Sequence, residues 1–189
     1  MRIGLLAVAV AAMAVLSACR APARDSAGAR SDSSRLSQPY PIQPFAAVDF
    51  SGRRVSLADW KNQIIVINAW ATWCAPCRRE LPLLSSLQAK YQDRVRMLGI
   101  LQDNVSDDFA RQFIAQAGLN FPVVRTTFDI ESHLPAIVVI PMTFVIDKEG
   151  RLVSTFAGEA DPAALEREIT HADSRAGLGS QKSEVKSQK

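Results

Sequence analysis

Cysteine and histidine are scarce in this chain: three and two, respectively, in 189 residues. So few cysteines exclude a disulfide-stapled mini-protein, which needs a dense, even-numbered framework. With only His133 and His171 to help, far apart in sequence, a cysteine pair also lacks the second ligand pair of a structural zinc site. An excess of charge of one sign is missing too. Twenty-two basic and 19 acidic side chains leave a formal net charge of +3, too small and too mixed for a polyanion-binding surface, so no nucleic acid partner is expected. The longest apolar run, residues 3–16, falls short of the ~20 residues a membrane-crossing helix needs. No internal repeat is visible, and one ordinary core is the expectation for the 48% hydrophobic composition.

What is present begins with Arg2 and the apolar run behind it, which read as a signal peptide over residues 1–18. Leu16-Ser17-Ala18-Cys19 resembles the bacterial lipobox, which implies cleavage before Cys19 and lipid on its thiol, anchoring the chain to a membrane. An ordinary signal peptide or an uncleaved anchor, with a chance cysteine, is the alternative. Residues 20–38 are rich in Ala, Ser, Arg and Pro and poor in large apolar side chains, so 19–38 is expected to be a disordered tether. The tail, 174–189, has the same character, leaving 39–173 as the folded domain.

Within that domain, segments 47–50 and 53–57 flank the turn pair Ser51-Gly52 and predict a hairpin. Ile64 to Ile67 is a β-branched run suited to a strand covered on both faces. A helix to about Tyr91 follows, with Leu81, Leu84 and Leu87 at helical spacing and Pro82 expected to kink it. A strand is expected at 95–101, then a helix over 106–117 capped by Ser106 and closed by Gly118. Short strands at 123–124, 143–146 and 151–156 come next, then a helix from Asp161-Pro162 to about His171, with 125–140 unassigned. This order predicts an α/β sheet with helices on both faces.

The chemistry-bearing motif is Trp73-Cys-Ala-Pro-Cys77, between the buried strand and the helix. Two cysteines three apart at a helix start share a face and lie close enough for a disulfide. The unpaired amides there favour negative charge, so Cys74, the more exposed thiol, is the expected nucleophile and Cys77 the resolving thiol. No metal and no cofactor is expected. A copper-binding module using Cys74, Cys77 and His133 is the alternative from another class, although Sco-type proteins space their cysteines CxxxC. A peroxiredoxin-like reading lacks Thr-x-x-Cys around Cys74.

The run Asn68 to Pro82, with Ser51 to Leu57 before it and Ile140 to Asp147 after it, resembles the TlpA/ResA branch of the thioredoxin superfamily over most of residues 45–170. That resemblance implies a thioredoxin-like fold: a central mixed β-sheet flanked by helices, with an N-terminal β-hairpin and an inserted helix–strand element. It also implies a cis Pro141 facing the cysteine pair, with the backbone at Ile140 open to a substrate strand, and Trp73, Ala75 and Pro76 on the substrate side. Trp70 is expected in the core. Asn68 replaces the buried acid of thioredoxin and cannot titrate. Glu80, three residues past Cys77, is the candidate acid–base group, against the alternative of a solvated glutamate beside Arg78 and Arg79. Segment 125–140 departs from the family pattern, and His133 and His171 receive no role.

Resemblance and tether together imply an extracytoplasmic reductase of protein disulfides, apocytochromes c before haem attachment among them, re-reduced by a membrane electron donor. A disulfide donor using the same residues in the opposite direction is the alternative, since direction follows the reduction potential.

Overall fold

The computed structural model describes residues 33–179, with side chains to Ser174. The expected signal peptide 1–18, Cys19 and the tether as far as residue 32 lie outside the described residues, as does the tail from residue 180.

Ile64–Trp70, strand β4, is buried along its whole length. Its β-branched side chains suit a pleated surface packed on both sides. It pairs in parallel with β5 (Val95–Leu101) and antiparallel with β7 (Met142–Ile146). The six-stranded mixed sheet runs β1-β8-β7-β4-β5-β6, where β1 is Ser33–Pro41, β6 Val123–Arg125 and β8 Arg151–Ala157.

Alternation along β4 divides the core in two. Ile64, Val66 and Trp70 join Leu81, Leu84 and Leu87 of α1 (Ala75–Lys90) and Leu165 and Ile169 of α4 (Pro162–Gly179) on one face. On the other, Ile65, Ile67 and Ala69 meet Phe45, Ile130, Leu134 and Phe144. Asn68 and Thr143, directly paired between β4 and β7, fall by this alternation on the α1 face.

The hairpin forms as β2 (Ala46–Val48) and β3 (Arg54–Ser56), its turn passing through Gly52 at φ 82°. Asp49 Oδ1 fixes that turn, accepting from the Ser51 and Arg53 amides at 2.9 Å each and from the Ser51 hydroxyl at 2.6 Å. The inserted element is α2 (Asp107–Gln116) followed by β6. Ser106 Oγ caps α2 by accepting from the Phe109 amide at 3.3 Å, and Gly118 follows it at φ 62°.

Two expectations are corrected and one unassigned segment is filled. Strand β1 starts at Ser33, inside the segment expected to be a tether: its backbone pairs antiparallel with β8, Leu36 packs partly buried against the second core cluster and Arg35 bonds Glu168 of α4. Its prolines, Pro39 and Pro41, are tolerated because β1 is the sheet's edge. Helix α4 continues to Gly179, past the expected end near His171 and into the segment expected as a disordered tail. Once formed, a helix gains one bond per added residue, and Asp173 is tied to Arg94 and Lys148. The unassigned segment holds a short helix, α3 (Phe128–Ser132), whose N-cap Thr127 accepts from the Ile130 amide at 3.2 Å.

Candidate active site

Strand β4 ends at Trp70, and the chain passes through a four-residue loop into α1. Asp103, just beyond β5, fastens that loop: its Oδ2 accepts from the Thr72 amide at 2.8 Å and from the Thr72 hydroxyl at 2.5 Å. Cys74 is the N-cap of α1, and its sulfur accepts from the Cys77 amide at 3.2 Å. Orphan amides at a helix start stabilise negative charge, so a thiolate at Cys74 is better placed than one at Cys77.

The two cysteines form a disulfide, with Cα atoms 5.3 Å apart. Cys74 keeps 3% of its surface exposed and Cys77 none, so access is from the Cys74 side. Around it Trp73 is 71% exposed, Ala75 is exposed and Pro76 half-buried, whereas Trp70 is fully buried.

The Ile140–Pro141 peptide bond is cis. Ala69 pairs with Met142, so the register carries Pro141 to the end of the sheet from which the cysteine loop departs. Ile140 packs, partly buried, against the apolar cluster that contains both cysteines. The Pro141 carbonyl accepts from the Gly158 amide at 2.8 Å.

Glu80 is not the solvated glutamate of the alternative reading. It is 2% exposed, while its neighbour Arg79 points outward to Glu159 at 2.6 Å. The carboxylate receives two long hydrogen bonds, from the Ala160 amide at 3.3 Å and from Asn68 Nδ2 at 3.4 Å. Burial pushes its pKa up to about 7, against the downward pull of the Ala160 and Asn68 bonds; the nearby charge of Glu159 pushes up as well, and Thr143 pulls down. A carboxyl poised near neutrality one helical turn from Cys77 is suited to exchange a proton with a thiol.

Thr143 and Asp103 are the site-shaping residues that sequence reasoning missed. The one signal for Thr143 is a hydroxyl in an otherwise apolar strand; Asp103 has none, because its loop meets Thr72 only through the parallel pairing of β4 and β5. His133 lies with its ring 5.9 Å from that of Phe45 and its Nδ1 2.7 Å from the Asp129 carbonyl. Among the described residues no three His, Cys, Asp or Glu side chains are placed to hold a metal ion.

A thioredoxin-like fold carrying a CxxC disulfide at a helix N-terminus defines a thiol-disulfide oxidoreductase. The AhpC/TSA family model matches residues 40–155, and the chain belongs to that family and within it to the ResA/TlpA type. It is 30% identical over 122 residues to the thiol-disulfide oxidoreductase ResA of Bacillus thuringiensis subsp. konkukian, covering 65% of this chain and 70% of the relative. Among solved structures, a DsbF homologue from Corynebacterium diphtheriae superposes with a TM-score of 0.68 at 29% identity, over 77% of this chain and 96% of that one. A secreted thiol-disulfide isomerase from Corynebacterium glutamicum gives 0.69 at 25% identity, over 79% and 95%.

Proposed function

We propose that the protein reduces protein disulfides outside the cytoplasm, with Cys74 attacking, Cys77 resolving and Glu80 taking the proton that Cys77 gives up. The Cys74 thiolate attacks one sulfur of a substrate disulfide; that bond breaks, one substrate sulfur leaves as a thiolate and is protonated by solvent, and the other is held in a mixed disulfide. The Cys77 thiol then passes its proton to the Glu80 carboxylate and attacks Cys74 Sγ. The second substrate thiolate leaves, two electrons have passed to the substrate, and the pair ends as a disulfide. A membrane electron donor returns two electrons, and the proton held on Glu80 goes back to Cys77, which leaves Cys74 as the thiolate for the next cycle.

Direction is carried by one observation, the buried Glu80 carboxyl one turn beyond Cys77. A carboxylate beside the thiols disfavours thiolate, so the reduced form gains less stabilisation than in a strong oxidant and the pair is the better electron donor. Exposed Trp73 and Ala75, with Pro76, Ile140 and cis-Pro141, form the surface offered to the substrate. Apocytochromes c before haem attachment are the proposed substrates, and Cys19 is the proposed lipid-bearing residue. The secreted neighbour supports an extracytoplasmic setting. Among the described residues no helix is long and apolar enough to cross a membrane.

The test is the reduction potential of the full chain, equilibrated against glutathione. A value at or below about −270 mV, the thioredoxin level, is expected, with Glu80→Gln less reducing than the parent. A potential near about −120 mV makes the protein a disulfide donor and overturns the proposal.

A further inference from the structure

Where α1 covers the sheet lies a polar cluster in an otherwise apolar face. Asn68 on β4 and Thr143 on β7 are cross-strand partners, 2% and 0% exposed, and Glu80 of α1 closes over them. Asn68 Nδ2 donates to Thr143 Oγ1 at 2.8 Å and to Glu80 Oε2 at 3.4 Å, which uses both of its hydrogens. Thr143, accepting from the amide, keeps its own hydrogen to donate to the Glu80 carboxylate, with which it also interacts. Asn68 Oδ1 is buried without a partner. This arrangement suits an ionised Glu80 and leaves an acceptor idle; a protonated Glu80 needs an acceptor in its place.

We propose that Asn68 and Thr143 are positioning residues that serve both protonation states of Glu80: amide nitrogen and hydroxyl donate to the carboxylate, and half a turn of the amide about Cβ–Cγ presents Oδ1 to the carboxylic acid. The proposal rests on the reading of Glu80 as the proton acceptor of Cys77 and adds what lets a buried carboxyl cycle between its two forms. An amide has both a donor and an acceptor end and a hydroxyl can reverse its role, so neither form is left facing a mismatched group. An apolar residue at either position would take one donor from the carboxylate and raise the cost of its buried charge. The other groups acting on Glu80 are the Ala160 amide, which donates and never accepts, and the charge of Glu159 in the same loop.

The test follows the two phases in which the reduced full-length protein releases nitrothiobenzoate from dithiobis-nitrobenzoate, across a pH series. The first phase reports attack by Cys74, and the second reports resolution by Cys77, which requires ionised Glu80. In the parent the second phase is expected to rise along an acid limb that Glu80→Gln abolishes. Thr143→Val, which replaces a hydroxyl with a methyl group, should move that limb up by about one pH unit, as should Asn68→Leu. Thr143→Ser should return it to the parent position. If Glu80→Gln abolishes the limb but Thr143→Val leaves it where the parent has it, the positioning proposal fails and Glu80 stands. If the limb persists in Glu80→Gln, the acceptor is another group and both readings fail. Should Asn68→Leu not fold, Thr143→Val and Thr143→Ser decide the matter on their own.

Discussion

Gly99 stands across the parallel ladder from Asn68, and it has no room for a side chain. A Cβ there would lie 2.9 Å from Trp70 Nε1 and 3.2 Å from Val123 Cγ2, inside a core where neither neighbour can retreat into solvent. Gly99→Ala is therefore expected to destabilise the protein by about 1–3 kcal/mol, read as a lower denaturation midpoint. Its reaction with dithiobis-nitrobenzoate should also slow, because Trp70 leads directly into the cysteine loop. At this scale the sequence already separated the tryptophans, Trp70 inside and Trp73 outside, and located both cysteines of the disulfide. It could not separate the two readings of Glu80. Spacing put Glu80 on the helix with Cys77, but its burial depends on the loop at Ala160, which is 80 residues away in sequence.

The element that sequence patterning hid is β1. Its residues read as a tether because a strand is usually recognised by apolar alternation, whereas this edge strand rests on backbone pairing, a single apolar contact from Leu36 and one well-placed polar side chain. Arg35 supplies that side chain, with Nε and Nη2 donating to the Glu168 carboxylate at 3.0 and 2.6 Å. The glutamate side chain is only 7% exposed, the arginine 46%. Arg35→Ala leaves a buried carboxylate without its cation, at a cost of about 1–3 kcal/mol after allowing for the exposed partner. Amides of 33–41 and their β8 partners should then exchange hydrogen faster, while those of α1 keep their protection. The starts of α2 and α4, by contrast, were legible from their caps: Ser106 opens α2, which Gly118 closes, and Asp161 Oδ1 caps α4 by accepting from the Ala164 amide at 2.9 Å.

For the whole molecule, the buried Glu80 makes stability depend on pH in an unusual sense. In the oxidised protein its pKa is raised from 4.5 to about 7, so the folded chain keeps a proton that the unfolded chain has given up. Below pH 4.5 both states are protonated and Glu80 exacts no penalty; between 4.5 and about 7 stability falls as pH rises, and above that the cost is complete, roughly 3 kcal/mol. Asp49 acts in a different window: burial works against its charge, but bonds from Ser51 and Arg53 outweigh it and lower its pKa, so its contribution is lost only in strong acid. Denaturant midpoints at about pH 5 and about pH 8 should show Glu80→Gln flattening the decline and stabilising the oxidised protein at the higher pH. The sequence by itself determined the disulfide pair and the order of most elements, because both follow from local spacing, caps and hydrophobic period. Only the tertiary structure decided that Glu80 is buried, that Asn68 and Thr143 meet beneath it and that residues from Ser33 join the sheet. Each of these needs partners from distant segments, and desolvation and cross-strand register arise only when those segments pack together.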